Sequence, residues 1–331
     1  LPRRLLWWVT GGLIAAFAVA PPLLSLDVFS YVSYARIAGE HGLSPYSTAP
    51  AEVPGDPALP FVADWRESVS VYGPLFTLAT APLGKLGVGA AVRLLKLAAG
   101  LTVGVIAWVV ARLAASRGID PRFAVALVAL NPLVLVHVVG GAHNDALMAA
   151  LMVLATAAVV SGRQALGGAG VAAAASVKAS ALVMAPFALI GGERRGRLLA
   201  GLACGALVTI AAGLAVFGGD LAEAVKVVGE NQGLTSRASV PGTLSRELGI
   251  DLDAVRATAL LLFCAAFAGL LVWVARGADW VRATGWGTLA LLCATSYLTP
   301  WYAIWALPHA ALSRDRALAA AMVALSAFLL V

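Results

Sequence analysis

The chain has 331 residues, 61% of them hydrophobic and 12% charged, with a net charge of +6 and a mean hydropathy of +0.90. Soluble domains carry about a quarter charged residues, and the apolar runs here recur along the whole length. The composition therefore excludes a soluble enzyme on a single anchor and points to one integral membrane domain over residues 1–331.

The first residues, LPRRLLWW, have the basic and early apolar character of a signal peptide. No small-residue cleavage site precedes Asp27, and Pro21-Pro22 stands where one would lie, so the segment is read as a retained first helix over 5–24. Further spans are expected at 88–113, 122–139, 145–161, 198–218, 257–275, 283–298 and 317–331. Shorter apolar helices are expected at 74–84, 165–175, 177–190 and 302–313. A full crossing takes about 20 residues, so the short pieces are expected to be tilted, paired or only partly inserted. The expectation is an all-α polytopic bundle of about 10–12 transmembrane or partly inserted helices. The absent initiator Met and the end inside ALAAAMVALSAFLLV lead us to expect a trimmed, C-terminally truncated chain.

Orientation follows from the basic loops. With the N-terminus cytoplasmic beside Arg3 and Arg4, the inner loops hold thirteen of the 23 basic residues and only four of the 17 acids. That pattern accounts for the positive charge without nucleic acid as a partner. It requires 74–84 to enter without crossing and 165–190 to run there and back. Residues 25–73 and 219–256 then form two extracytoplasmic loops, the first of them long and dense in Pro, Gly and Ser. The three cysteines lie singly in apolar runs and read as small core residues.

Several polar groups sit where they are costly. Asp27 stands alone just beyond the first span, where it can cap the helix starting at Val28 or serve chemistry in a cavity. In GGAHNDALM, Asn144 or Asp145 can cap the next helix, yet adjacent His143, Asn144 and Asp145 exceed what a cap needs. Lys178 has no charge within ten residues and suits an anionic group such as phosphate, with Arg93, Lys96 and Arg36 as further cations. Tyr297, Trp301, Tyr302 and Trp305 fit an interfacial aromatic belt or a stacking surface for sugars. His309 falls on a face similar to that of Tyr302, while His137 and His41 carry weaker signals. No metal cluster or DxD is apparent; Asp251 and Asp253 read as the polar start of a helix.

Taken in order, LDVFSYVSYARIAGEHGLSPY, GDPALPFVADWRESVSVYGPLF, LNPLVLVHVVGGAHNDALM, VKASALVMAPF and YLTPWYAIWALP resemble one family. They are similar to the polyprenol-phosphomannose-dependent α-1,6-mannosyltransferases of actinobacterial envelope synthesis, membrane glycosyltransferases of the GT-C type. The resemblance covers about residues 20–310. It implies inverting transfer of mannose from polyprenyl-phosphate-mannose to a mannan or lipoglycan acceptor, at the outer face of the plasma membrane. The family's first-loop general base matches Asp27. Lys178, then Arg93, would stabilise the leaving phosphate. His143, Asn144 and Asp145 would hold sugar hydroxyls, or Asp145 would share the base role, and Tyr72, Trp301 and Tyr302 would line the sugar site. No cofactor is implied, and metal dependence stays open. Family members are longer, which bears on acceptor recognition more than on chemistry. The alternatives are a GT-C transferase using another lipid-linked sugar, such as arabinofuranose, a lipid-linked sugar transporter, or a non-catalytic envelope scaffold.

Overall fold

The structure, a computed structural model, describes residues 2–231 and 233–330. It holds fifteen α-helices and no strand among the described residues, as expected of an all-α membrane protein. The first helix, α1 (Arg3–Val19), stops short of the expected 24 because Ala20 is already extended ahead of Pro21. Helix α2 (Asp27–Gly39) follows, and the irregular stretch behind it is pinned by one buried cation. Arg36 Nε donates to both oxygens of Asp56 (3.1 and 2.9 Å), and its Nη1 donates to Gly84 O (2.9 Å). Asp56 also bonds His41 Nε2 at 2.6 Å, so both Arg36 and His41 are committed to the loop's architecture.

Helices α3 (Pro74–Thr80), α4 (Val88–Ser116) and α5 (Pro121–Ala129) come next. The expected single span over 122–139 is broken. Pro132 supplies no N–H, Asn131 Oδ1 accepts from Leu133 N (3.0 Å) instead, and the chain resumes as a π-helical turn over Val134–Val139. Helices α6 (Asp145–Val160) and α7 (Gln164–Ala175) match their expected bounds within a residue. The expected helix over 177–190 is divided, with Lys178 in extended backbone before a short 3-10 turn and α8 (Met184–Gly191).

The remainder comprises α9 (Arg195–Phe217), α10 (Leu221–Asn231), α11 (Val240–Leu248) and α12 (Leu252–Ala275). Asp251 caps α12 by accepting from Ala254 N, the role expected of it. Helix α13 (Trp280–Ala294) ends four residues before the expected 298, and Pro300–Trp305 forms a 3-10 turn ahead of α14 (Leu307–Ala311) and α15 (Arg316–Phe328).

Among the described residues, three helices are long and apolar enough to cross a membrane: Val88–Ser116, Arg195–Ala224 and Leu252–Ala275. Leu207, Leu261 and Leu262 on two of them are exposed, an arrangement suited to lipid. α7 packs along α6 and α9, while α13 packs on α8, α12 and α14. Loops expected on one side meet: Arg117 Nε donates to Leu312 O (2.8 Å), and Arg282 Nε donates to Asp315 (2.6 Å). At the other end Ser47 donates to Asp220 (2.6 Å), and Ser236 Oγ donates to Leu298 O (2.6 Å), joining the two long loops to the aromatic turn.

Candidate active site

Asp27 is the first residue of α2 and does not cap it; Leu26 holds the cap position, with no side-chain bond. The carboxylate points instead into the loop face, where Trp65 Nε1 donates to Oδ1 at 3.3 Å. Burial raises the Asp27 carboxyl from 3.8 to about 6, against the Trp65 N–H and Lys178 ammonium, which favour its charged form. A carboxyl poised there is charged at neutral pH yet basic enough to accept a proton.

A cavity of about 340 Å³ opens beside it. Tyr31, Trp65, Tyr72, Tyr297, Trp301 and Tyr302 line it with aromatic rings. Lys178 is the lining cation, placed by the break between two helices. Gly73 makes this meeting close. A Cβ there would lie 2.2 Å from Ser176 O, and Gly73 N donates to Val177 O (3.1 Å), so Tyr72 is drawn against the Lys178 segment. The Lys178 ammonium donates to Asp145 Oδ1 at 2.9 Å and lies 4.3 Å above the Tyr302 ring. Asp145 Oδ1 also accepts from Trp305 Nε1 (2.6 Å). Of the three ammonium protons, one is engaged with Asp145, which leaves donors for an anionic group.

His143 lies behind the lining, stacked on Trp301 with ring centroids 3.7 Å apart. Its Nδ1 is 3.7 Å from Asp27 Oδ2 and 3.4 Å from Tyr31 Oη. The two segments carrying Asp27 and His143 are tied together at Gly140, whose carbonyl accepts from Leu23 N (3.1 Å) and Lys96 Nζ (2.5 Å). Among the described residues the non-glycine positions with positive φ are Leu24 (56°) and Ala142 (57°), one in each segment. Backbone strain of this kind costs about 1–3 kcal/mol and gathers at functional sites.

A second cavity, of about 390 Å³, adjoins the first. Asp27, Trp65, Tyr297 and Trp301 line both, so the carboxylate stands on their common wall. The arrangement offers a base bordering two chambers, with a cation lining one of them.

Known sequences are similar to this chain. A family described as alpha-(1->6)-mannopyranosyltransferase, N-terminal domain, matches residues 2–194. The alpha-(1->6)-mannopyranosyltransferase A of Mycobacterium tuberculosis is 33% identical over 350 residues, covering 95% of this chain and 67% of the relative. The chain belongs to the α-(1→6)-mannopyranosyltransferase family. The Corynebacterium glutamicum protein of that name is 30% identical over 180 residues, covering 53% of this chain and 36% of the relative. A second mycobacterial family member is 39% identical over 140 residues, covering 40% of the chain and 24% of its own length. The chain thus spans about two thirds of the first relative, and its matches to the other two cover about a third or less of theirs. Membership makes it a glycosyltransferase, the class that the resemblance implied.

Of the residues singled out from sequence, this family member brings Asp27, Tyr72, Lys178, Trp301 and Tyr302 to the first cavity. His143, Asn144 and Asp145 lie behind the wall, at 1%, 4% and 0% exposure, and line neither chamber. Asp145 holds Lys178 and Trp305 in place. Asn144 occupies the cap position of α6 without a side-chain capping bond. Arg93 is exposed on α4 and lines neither chamber; Lys96 is the cation on that helix that turns inward. Trp65, Tyr31 and the stacking role of His143 were not singled out. Trp65 lies in a proline-rich loop whose return to Asp27, 38 residues away, has no local periodicity to betray it.

Proposed function

We propose that the chain transfers mannose from polyprenyl-phosphate-mannose to a hydroxyl of a mannan or lipoglycan acceptor, with inversion, at the outer face of the plasma membrane. Both long loops lie at the Asp27 end, and the basic loops meet at the other. That separation and the positive-inside pattern support an extracytoplasmic site with a cytoplasmic N-terminus. The observation carrying the chemistry is the placement of Asp27, with its raised carboxyl, in a cavity that also holds Lys178.

The acceptor oxygen forms a bond to the anomeric carbon as the C1–O bond to phosphate breaks. Asp27 takes the acceptor proton, and polyprenyl phosphate leaves with the bonding pair. The Lys178 N–H groups stabilise the charge that grows on phosphate oxygen. A β-linked donor yields an α-mannoside. The displacement resembles that of an inverting glycosidase, with an acceptor alcohol in place of water. Tyr302 and Trp301 supply faces for the sugar ring.

Purified protein incubated with synthetic polyprenyl-phosphomannose and an α-1,6-oligomannoside should release polyprenyl phosphate and extend the oligomannoside. Asp27→Asn should abolish both while leaving the protein folded. An intact donor after prolonged incubation would instead mark a carrier, and turnover only with an arabinofuranosyl lipid would reassign the donor.

A further inference from the structure

We infer that the second cavity, beyond Asp27, is the acceptor subsite, with Ser30 and Asp64 as the groups that bind the acceptor's hydroxyls. The inference rests on the reading of Asp27 as the base. An inverting displacement requires nucleophile and leaving group on opposite faces of the anomeric carbon, and a base must lie on the nucleophile's side. The two chambers adjoin at Asp27 and at the rings of Trp65, Tyr297 and Trp301, so one carboxylate borders both.

Their linings differ in chemistry. The first has Lys178 and the apolar Leu234 and Leu291, which suit a lipid phosphate. The second has no lining cation; its polar groups are Ser25, Ser30, Asp64 and Asp27. Two carboxylates without a cation disfavour a phosphate and favour neutral hydroxyl donors. Ser30 is 1% exposed, and its Oγ has no hydrogen-bond partner. A buried hydroxyl left unpaired is costly, and a sugar hydroxyl would satisfy it. Asp64 is exposed and makes no hydrogen bond or ion pair among the described residues. Trp65 and Tyr297, edge to face with centroids 6.5 Å apart, present aromatic surface to both chambers. At about 390 Å³ the chamber falls in the range that small-ligand sites occupy, roughly 300–1,000 Å³.

The test pairs kinetics with binding, using α-1,6-mannobiose as the probe. Ser30→Ala and Asp64→Asn should each raise the KM for mannobiose about tenfold, the usual cost of one lost hydrogen bond. The KM for the lipid donor, and kcat at saturating acceptor, should stay at wild-type values. Tryptophan fluorescence titration with mannobiose alone should show the same weakening in both variants, with melting temperatures no lower than wild type. If donor KM moves instead, or neither affinity for mannobiose changes, the chamber is not the acceptor subsite. Failure of the underlying reading looks different: mannobiose still binds, and still depends on Ser30 and Asp64, but no polyprenyl phosphate is released.

Discussion

Lys178 Nζ lies 2.9 Å from Asp145 Oδ1, in a pair whose carboxylate is fully buried while the lysine side chain keeps 21% exposure. Asp145 has no contact with the cavity; its work is to hold the cation and the Trp305 indole in one geometry. Removing one member strands the other's charge. Asp145→Asn and Lys178→Met should each cost about 3 kcal/mol by denaturant unfolding in detergent. The double variant should recover most of that loss, because no lone charge remains. Its transfer activity should stay absent if Lys178 receives the departing phosphate. Wild-type turnover in the double variant would remove Lys178 from the chemistry.

The raised carboxyl of Asp27 sets the pH dependence. Only the ionised form can accept a proton, so kcat/KM should rise with pH along a limb centred near 6. Asp27→Asn should erase the activity at every pH. A limb near 4, or none, would show that a different group titrates.

The same shift has a stability consequence. A carboxyl raised in the folded state favours folding most below its ordinary value, and that contribution is lost as pH climbs through about 6. The rise from 3.8 to about 6 corresponds to roughly 3 kcal/mol, an upper bound for a side chain that keeps some solvent. Asp27→Asn should therefore be more stable than wild type at pH 8, by up to about that amount. The gap should close by pH 4. Equal stability at both values would show that the carboxylate is solvated.

Trp65→Phe isolates the indole hydrogen bond. Its N–H stabilises the charged form of Asp27, so its loss should move the acid limb of the rate profile to higher pH. A purely structural role for the ring would lower the rate at every pH and leave the limb in place.

Tyr72 came only with the resemblance, while the membrane class, most helix positions, and the costly placement of Asp27, Lys178, Trp301 and Tyr302, which line the first cavity, were legible in the sequence. Each of those residues is a polar or aromatic group in an apolar setting, where the cost of placement is itself a signal. The sequence was less legible wherever a long-range contact overrides local preference. Pro132 and the extended Lys178 divide segments whose apolar runs read as continuous helix. His143, Asn144 and Asp145 read as sugar ligands because adjacent polar groups look like a site. Only the fold shows His143 under Trp301 and Asp145 behind Lys178. Arg93 and Lys96 are three apart on one helix, yet one is exposed and the other turns inward, a choice set by neighbouring segments.

Ala142 offers a test of stored strain. Its φ of 57° puts a side chain in the left-handed region, one residue before His143. An L-residue pays about 1–2 kcal/mol there, which glycine avoids. Glycine also loses more chain entropy on folding, by roughly 0.5–1 kcal/mol. The terms partly cancel, so Ala142→Gly should stabilise the protein by about 0.5–1 kcal/mol in denaturant unfolding. Activity should fall modestly, because a looser turn holds His143 less firmly against Trp301 and Asp27. Lower stability in the glycine variant would mean that the methyl group's packing, at 4% exposure, outweighs the backbone strain.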